Sequence, residues 1–218
     1  MRKRVKRSSP DPPGRIAIAE AARRLFKEKG YASTTIGAIA AEAGYAVQTV
    51  YFHFRTKAAI VEYLVARMRA ETVTPAFKRS MEDQPAESRL DAQAMITRRT
   101  AEAWWDVYEV LRSASQSDDA LAALVAEMDA GRLYGQRLVA KALDAGGELR
   151  QDVDVTMATD VIWTLASEDT YRRLVVERHW SPDRYESWLG RCLSSQLLGA
   201  KARRSWPPSG SRPARGSD

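Results

Sequence analysis

The sequence of 218 residues predicts an all-α protein in which a three-helix head is followed by a helical bundle. Apolar residues recur three and four positions apart along most of the chain, which is the period of a helix buried on one face. Residues that cap helix starts precede these stretches, and glycine or proline follows them. No stretch alternates apolar and polar residues as a half-buried strand does, and no repeat of fixed period occurs. We call residues 13–57 the head and residues 58–200 the body.

The first helix of the head is predicted to run to about Lys29. Asp11 is placed to cap its start, with Pro12 as the first helical residue. Gly30 is placed to end it, since glycine tolerates the backbone conformation that follows a helix. The core-facing stripe of this helix consists of Ile18, Ala22, Leu25 and Phe26.

The next two helices are short and are joined by a tight turn. Thr34 or Thr35 is expected to cap the second helix, and Gly44 is expected to end it in a left-handed conformation. The apolar face between them consists of Ile36, Ile39, Ala40 and Ala43. The third helix extends from Val47 to about His53. Two short helices joined by a turn containing glycine indicate a helix-turn-helix motif, whose second helix enters the major groove of DNA.

Residues 18–57 resemble the DNA-binding domain of the TetR family of bacterial regulators. The positions that carry the resemblance are Ile18, Ala21, Ala22, Leu25, Phe26 and Gly30, then Thr34, Thr35, Ile36, Ile39, Ala40, Ala43 and Gly44, then Thr49, Val50, Tyr51, Phe54 and Lys57. The resemblance implies an N-terminal helix-turn-helix domain that binds DNA, joined to a ligand-binding and dimerisation domain.

The resemblance also implies roles for individual residues of the head. Phosphate contacts fall on Thr35, Thr49, Tyr51, His53 and Lys57. Contacts to base edges fall on Val47, Gln48 and Phe52. Gln48 can make a bidentate contact to adenine, and Val47 or Phe52 can pack on a thymine methyl group. Tyr45 replaces a usual small aliphatic residue, and its hydroxyl is expected to reach the DNA backbone.

Several of these residues also fit an ordinary structural role. Tyr51 and Phe52 are apolar enough to belong to the core, and His53 can be an exposed polar residue that contacts no phosphate. Val50 and Phe54 match the positions that hold the recognition helix on its own domain.

Three positions of the head depart from the family pattern. Ala46 stands where many members have a capping serine or threonine, and Ala38 stands where many have a carboxylate that completes a capping box. Gly37 lies inside the second helix, where it is about 1 kcal/mol less favourable than alanine. We therefore expect the head to be mobile when free and to become ordered on DNA.

The body is predicted to consist of further helices. Their expected extents are a helix starting at Lys57, a short helix at 75–82, helices at 87–113 and 119–145, a helix from Asp152 or Asp154 to 175, and a final helix capped by Ser181. The resemblance implies that the last two helices, about 153–178 and 182–199, pair with the same helices of a second subunit. The expected assembly is therefore a homodimer.

Large apolar residues of the body are candidates for a small-molecule site. The residues predicted to line an apolar cavity for an unknown effector are Met95, Trp104, Tyr108, Met128, Tyr134 and Trp163. Each of them is also compatible with ordinary core packing.

Charge is distributed unequally along the chain. Residues 1–57 have a net charge of +8, residues 58–200 of −6 and residues 201–218 of +4. A basic end on an acidic body is typical of a protein that meets a polyanion with that end. Residues 1–12 are expected to form a disordered basic arm, and 201–218 a disordered basic tail.

The sequence favours neither an enzyme nor a metalloprotein, and no cofactor is expected. Cys192 is the only cysteine, and the two histidines, His53 and His179, lie far apart in the chain. No known catalytic motif occurs. No apolar stretch is long enough to span a membrane, and no signal peptide is evident, so the expected location is the cytoplasm without membrane contact.

Two functions fit these observations. The first is a homodimeric transcriptional repressor that binds a palindromic double-stranded DNA operator and is released by an apolar small molecule. The alternative is an all-helical DNA-binding interaction protein with no inducer, which serves chromosome organisation or division control.

Overall fold

The computed structural model describes residues 11–72 and 84–200. Within these ranges the chain forms nine α-helices and no β-strand, so the prediction of an all-α protein with an N-terminal helix-turn-helix is confirmed. The basic arm before residue 11, the helix predicted at 75–82 and the tail at 201–218 lie outside the described residues.

The helices follow one another with short connections. Their bounds are α1 Pro13–Lys29, α2 Ile36–Ala43, α3 Val47–His53, α4 Lys57–Thr72, α5 Ala86–Ala114, α6 Asp119–Ala145, α7 Val155–Leu165, α8 Glu168–Tyr171 and α9 Pro182–Leu197. A π-helical segment, Arg172–Glu177, continues α8.

Most predicted helix ends are confirmed, because capping chemistry is local. The Thr35 hydroxyl accepts the N–H of Ala38 at 3.1 Å and caps α2. Gly44 ends the same helix at φ 73°, a left-handed conformation that glycine adopts without strain. The Ser181 hydroxyl accepts the N–H of Arg184 at 3.2 Å and caps α9.

The predicted start of α1 is wrong. Pro12 is the N-cap and Pro13 the first helical residue, and no side chain caps this end. A residue that precedes proline is driven out of the helical region, so Pro12 remains extended at ψ 136°. The carboxylate of Asp11 instead accepts the hydroxyl of Tyr63 at 2.9 Å and pairs with Arg15 at 3.3 Å. Asp11 therefore joins the start of α1 to α4.

The sequence predicted one unbroken helix from Asp152 or Asp154 to residue 175, and this prediction is wrong in the middle of that range. The chain leaves the helix at Ala166, and Ser167 caps the short α8. Arg132 of α6 donates to the carbonyl oxygens of Trp163 at 2.8 Å and of Ala166 at 3.5 Å. These donors satisfy carbonyl groups that the end of α7 leaves without an intrahelical partner.

The described residues divide into two compact units. The first unit comprises residues 11–72 and 103–129, and the second comprises residues 84–102 and 130–200. Each of α5 and α6 contributes one part of its length to the first unit and the other part to the second.

One hydrophobic cluster forms the core of the first unit. Its largest members include Ile18, Phe26, Ile39, Val50, Ile60, Leu64, Trp104, Leu111 and Leu121. Full burial of such a side chain contributes about 1.5–3 kcal/mol. The three helices of the head therefore share one core with α4 and with residues 103–129.

The second unit is built around α7 and α9. The buried side chains at its centre include Leu143, Ile162, Tyr185, Leu189 and Leu193. Arg98 of α5 pairs with Asp183 at 2.6 Å and with Glu186 at 3.0 Å, which joins α5 to α9. Across the described parts of the chain, no helix combines the length and the apolar character that a membrane span requires.

Candidate nucleic-acid interface

The inner face of α3 is held by two apolar anchors. Val50 is fully buried and Phe54, the residue that follows the helix, is nearly so. The Phe54 ring meets the Tyr63 ring of α4 edge-on, with 5.4 Å between the ring centroids. Since Ala46 supplies no capping hydrogen bond at the start of α3, these tertiary contacts fix the helix in place.

The outer face of α3 is exposed and mostly uncharged. Phe52 is 85% exposed, Tyr51 49% and Val47 42%, and Gln48 is exposed beside them. Tyr51 and Phe52 are therefore surface residues and not core residues. Gln48, Tyr51 and Phe52 lie one turn or less apart, so a single surface ridge presents an amide, a hydroxyl and two aromatic rings.

The two threonines of the interface differ in exposure, since Thr49 is half-buried and Thr35 is exposed. Thr49 lies beside the buried Val50 on α3. Thr35 uses its hydroxyl oxygen to accept the N–H of Ala38, which leaves the hydroxyl hydrogen free to donate to a phosphate.

Tyr45 and His53 lie over the first turn of α1. A Cβ atom added at Gly14 would stand 3.2 Å from Nε2 of His53 and 3.4 Å from the hydroxyl of Tyr45. The missing side chain of Gly14 thus allows both rings to approach the α1 backbone. Sequence reasoning missed Gly14, although a glycine in the first turn of a helix, where alanine is more favourable, was a usable signal.

Lys57 is held against the connector between α1 and α2. Its ammonium donates to the carbonyl oxygens of Tyr31 at 2.7 Å and Ala32 at 3.4 Å, and it lies 4.5 Å from the centre of the Tyr31 ring. Burial lowers the pKa of Lys57. Two of the three ammonium hydrogens have carbonyl partners, so one donor remains for a phosphate.

Tyr31 is a second residue that sequence reasoning missed. Its ring packs against Phe26, with 5.4 Å between the ring centroids, and its hydroxyl donates to Asp118 at 3.5 Å. The same carboxylate caps the start of α6 by accepting the N–H groups of Ala120 and Leu121. Burial and the Asp118 charge raise the pKa of Tyr31 to about 12. Tyr31 therefore connects the end of α1 to the start of α6.

The six residues predicted to bind an effector fall into both units. Trp104 is buried in the core of the first unit, where Tyr108 and Met128 also pack. Met95, Tyr134 and Trp163 belong to the second unit, where Tyr134 is exposed and the other two are half-buried. Whether they bind one ligand stays a prediction.

Several buried polar atoms of the second unit are unpaired. The indole Nε1 of Trp163 has no hydrogen-bond partner among the described residues, and the same holds for the amide oxygen of Gln136 and the hydroxyl of Tyr185. Arg132, one helical turn from Gln136, stacks on the Trp163 ring at 4.5 Å. Sequence reasoning missed Gln136, because a polar residue on a long helix is usually exposed.

A separate cleft of about 520 Å³ lies in the second unit between the end of α6 and the start of α7. Its lining includes Asp144, Arg150, Asp152, Asp154 and Met157. None of the six predicted effector residues lines this cleft.

Comparison with known proteins identifies the head. Residues 18–64 match the model for the bacterial regulatory proteins of the tetR family. A search of the curated proteins finds no match to the sequence.

Solved structures share the fold over most of the chain. The structure of SmeT in complex with triclosan is 19% identical, with a TM-score of 0.74 over 94% of this chain and 100% of that one. FadR from Bacillus halodurans, a fatty acid degradation regulator, is 19% identical, with a TM-score of 0.70 over 88% and 98% of the two chains. FadR from Bacillus subtilis in complex with stearoyl-CoA is 21% identical, with a TM-score of 0.68 over 83% and 97%.

The domain match lies on the helix-turn-helix described above, and the all-α fold extends beyond it through the body. Residues 18–64 therefore form a domain of the tetR family of bacterial regulatory proteins, and the chain as a whole shares the fold of these solved structures.

Proposed function

We propose that this protein is a homodimeric transcriptional repressor that binds a palindromic operator and is released by a small molecule with a largely apolar surface. The observation that carries the proposal is the outer face of α3. Gln48, Tyr51 and Phe52 are exposed on a helix whose opposite face is anchored by Val50 and Phe54. A recognition helix needs this division, since its outer side chains must reach base edges without loosening the domain.

In this proposal the head binds phosphates on both sides of the groove. Thr35 and Lys57 each retain a hydrogen-bond donor, and Thr49, Tyr51 and His53 contribute further donors from α3. Each phosphate contact releases condensed counterions, so the affinity should fall steeply with salt concentration.

We propose that residues 153–178 and 182–199 form the dimer interface. Met157 is half exposed on α7, and Val176 is 44% exposed after α8. Trp180 and Trp188 stack edge-on at 5.9 Å and are only half-buried in a single chain. Apolar surface of this kind supports association with a second copy, which needs about 800 Å² from each partner.

We place the effector near Trp163 in the second unit. Three buried polar atoms of this unit, on Trp163, Gln136 and Tyr185, lack hydrogen-bond partners among the described residues. Buried polar groups are nearly always paired, so water or a ligand with polar atoms is expected to complete them. Among proteins of this fold, SmeT has been solved with triclosan and FadR from Bacillus subtilis with stearoyl-CoA. Both support an effector that combines a large apolar surface with a polar group.

In-vitro selection of DNA from a random pool tests the DNA-binding part of the proposal. We expect a palindrome whose half-sites lie about 34–36 Å apart, bound by two protomers in sedimentation experiments. Gln48→Ala should change the preferred base at one position of each half-site. Lys57→Ala should weaken binding to all sequences and reduce the salt dependence by about one charge, whereas Lys141→Ala, an exposed lysine of the second unit, should do neither.

Selection that enriches no sequence, or a Gln48→Ala protein that selects the same sequence as the parent, would contradict the assignment of α3.

The effector part is tested by adding triclosan or stearoyl-CoA to the operator complex and measuring its dissociation. Trp163→Phe keeps an aromatic ring but replaces the indole by a smaller phenyl group without an N–H, so it should weaken the response to an effector that bonds this group. Genome-wide binding at scattered sites instead of promoters would favour the alternative function without an inducer.

A further inference from the structure

We propose that Phe52 reads the methyl group of a thymine, and that each operator half-site places this thymine within two base pairs of an adenine bonded by Gln48. The inference rests on the proposed function, because it takes α3 to lie in the major groove.

The exposure of Phe52 distinguishes it from the other apolar residue on this face. Its side chain is 85% exposed, more than any other large apolar residue in the described ranges, whereas Val47 is 42% exposed. The ring meets the His53 ring edge-on, with 5.2 Å between the centroids. His53 lies in turn against Gly14 of α1. One edge of the Phe52 ring is thus supported from the protein side, and the rest is available to a partner.

The remaining chemistry of α3 restricts what that partner is. The helix, with the sequence VQTVYFH, contains no arginine, lysine, aspartate or glutamate. Arginine and lysine are the commonest readers of guanine, and carboxylates accept the amino group of cytosine. Arg55 lies beyond Phe54, the residue that ends the helix. Apart from the hydroxyl of Tyr51, which we assign to a phosphate, the chemistry left on the exposed ridge is an amide, which suits adenine, and apolar surface, which suits the thymine methyl group.

The spacing on the helix sets the spacing on the DNA. Gln48 and Phe52 are four residues apart, so their Cβ atoms are about 5–6 Å apart on one ridge. Successive bases of one strand are separated by about 3.4 Å along the DNA axis. The two side chains therefore reach bases within two pairs of each other, and the half-site should contain an A·T pair at each position.

Duplexes that differ by a single methyl group test this inference. After the operator has been selected, each thymine of the half-site is replaced in turn by deoxyuridine, which removes only the 5-methyl group. For the parent protein, one replacement should weaken binding about fourfold in one half-site and about fifteenfold when made in both. For Phe52→Ala, the same replacement should have no further effect. Phe52→Leu, which keeps an apolar side chain, should retain most of the sensitivity.

A second duplex separates the methyl group from the base pair. Replacing the same T·A pair by 5-methylcytosine·guanine should bind more tightly than replacing it by cytosine·guanine for the parent protein, and equally for Phe52→Ala. Deoxyuridine without effect at every thymine, or a loss that persists in Phe52→Ala, would overturn the inference while leaving specific DNA binding intact. Failure of the proposed function would look different, because no sequence would be selected at all. Since Phe52 is exposed, its variants should unfold at the same urea concentration as the parent.

Discussion

The contact between Arg23 and Asp106 offers a quantitative test of how the head is attached to α5. The guanidinium donates from Nε to Oδ2 at 2.6 Å and from Nη2 to Oδ1 at 2.7 Å, and Nη2 also donates to the carbonyl oxygen of Ala103 at 2.5 Å. The same group lies 4.4 Å from the centre of the Trp104 ring. The hydrogen bond and the charge of Asp106 raise the pKa of Arg23.

The expected magnitude follows from the geometry and burial of the pair. The side chains are 22% and 17% exposed, so the contact lies between a surface pair worth about 0–1 kcal/mol and a buried pair whose disruption costs about 3–5 kcal/mol. Two charge-assisted hydrogen bonds and one cation–π contact favour the middle of this range. We expect Arg23→Ala to lower the free energy of unfolding by about 2–4 kcal/mol. Arg23→Lys should lose about half as much, since lysine keeps the charge but not the planar fork.

The coupling energy between Arg23 and Asp106 is measured by urea unfolding of the two single alanine variants and the double variant, all at one protomer concentration. We expect this coupling energy to be about 1.5–2.5 kcal/mol. The neighbouring pair Arg24 and Glu42 is the control. These side chains are 55% and 41% exposed, so their coupling should stay below about 1 kcal/mol and disappear in 1 M salt. A coupling below about 0.5 kcal/mol for Arg23, or equal values for the two pairs, would refute the reasoning.

Three further outcomes are expected. Gly14→Ala should weaken operator binding about two- to fivefold, because the added methyl carbon would stand 3.2 Å from Nε2 of His53 and displace that ring. Its effect on the free energy of unfolding should stay below about 1 kcal/mol. An unchanged affinity in a binding titration would contradict this. The pKa of Tyr31 is about 12 in the folded protein and about 10 in the unfolded chain, so its contribution to stability is complete below pH 10 and is lost as the pH rises toward 12. Ultraviolet titration should show this late ionisation of Tyr31, and Asp118→Asn should shift the ionisation to lower pH. Burial raises the pKa of the Cys192 thiol, so alkylation by iodoacetamide at pH 8 should be slower in the folded protein than in urea, and equal rates would exclude a buried thiol.

Predictions from local chemistry succeeded where the interacting groups are close in sequence. Thr35 and Ser181 cap helices because each hydroxyl needs only the N–H three residues ahead. Gly44 ends α2 because its own backbone freedom decides the turn. The prediction for Asp11 failed because Pro12 precedes a second proline and stays extended, so the helix begins one residue later than expected. The Asp11 carboxylate instead accepts the hydroxyl of Tyr63, which is 52 residues away in the chain.

In the candidate interface, too, some residues were predicted correctly from the sequence and others were not. The family pattern correctly identified Val50 as a residue that holds α3 on its domain, since its side chain is fully buried. The same pattern left Tyr51 and Phe52 open, because an aromatic residue suits either the core or a binding surface. Their exposure was decided by the helices that pack around α3 and that cover only its inner side.

By itself, the sequence determined that the chain is all-α, that its head is a helix-turn-helix of the TetR type, and where most helices begin and end. These properties follow from helical periodicity, capping residues and a motif within consecutive residues. Only the tertiary structure decided that Lys57 lies against Tyr31, that Arg23 binds Asp106, and that Trp104 lies in the core that the head shares with α5. Each of these contacts joins residues at least 26 positions apart, and no local pattern specifies which of many possible distant partners will meet.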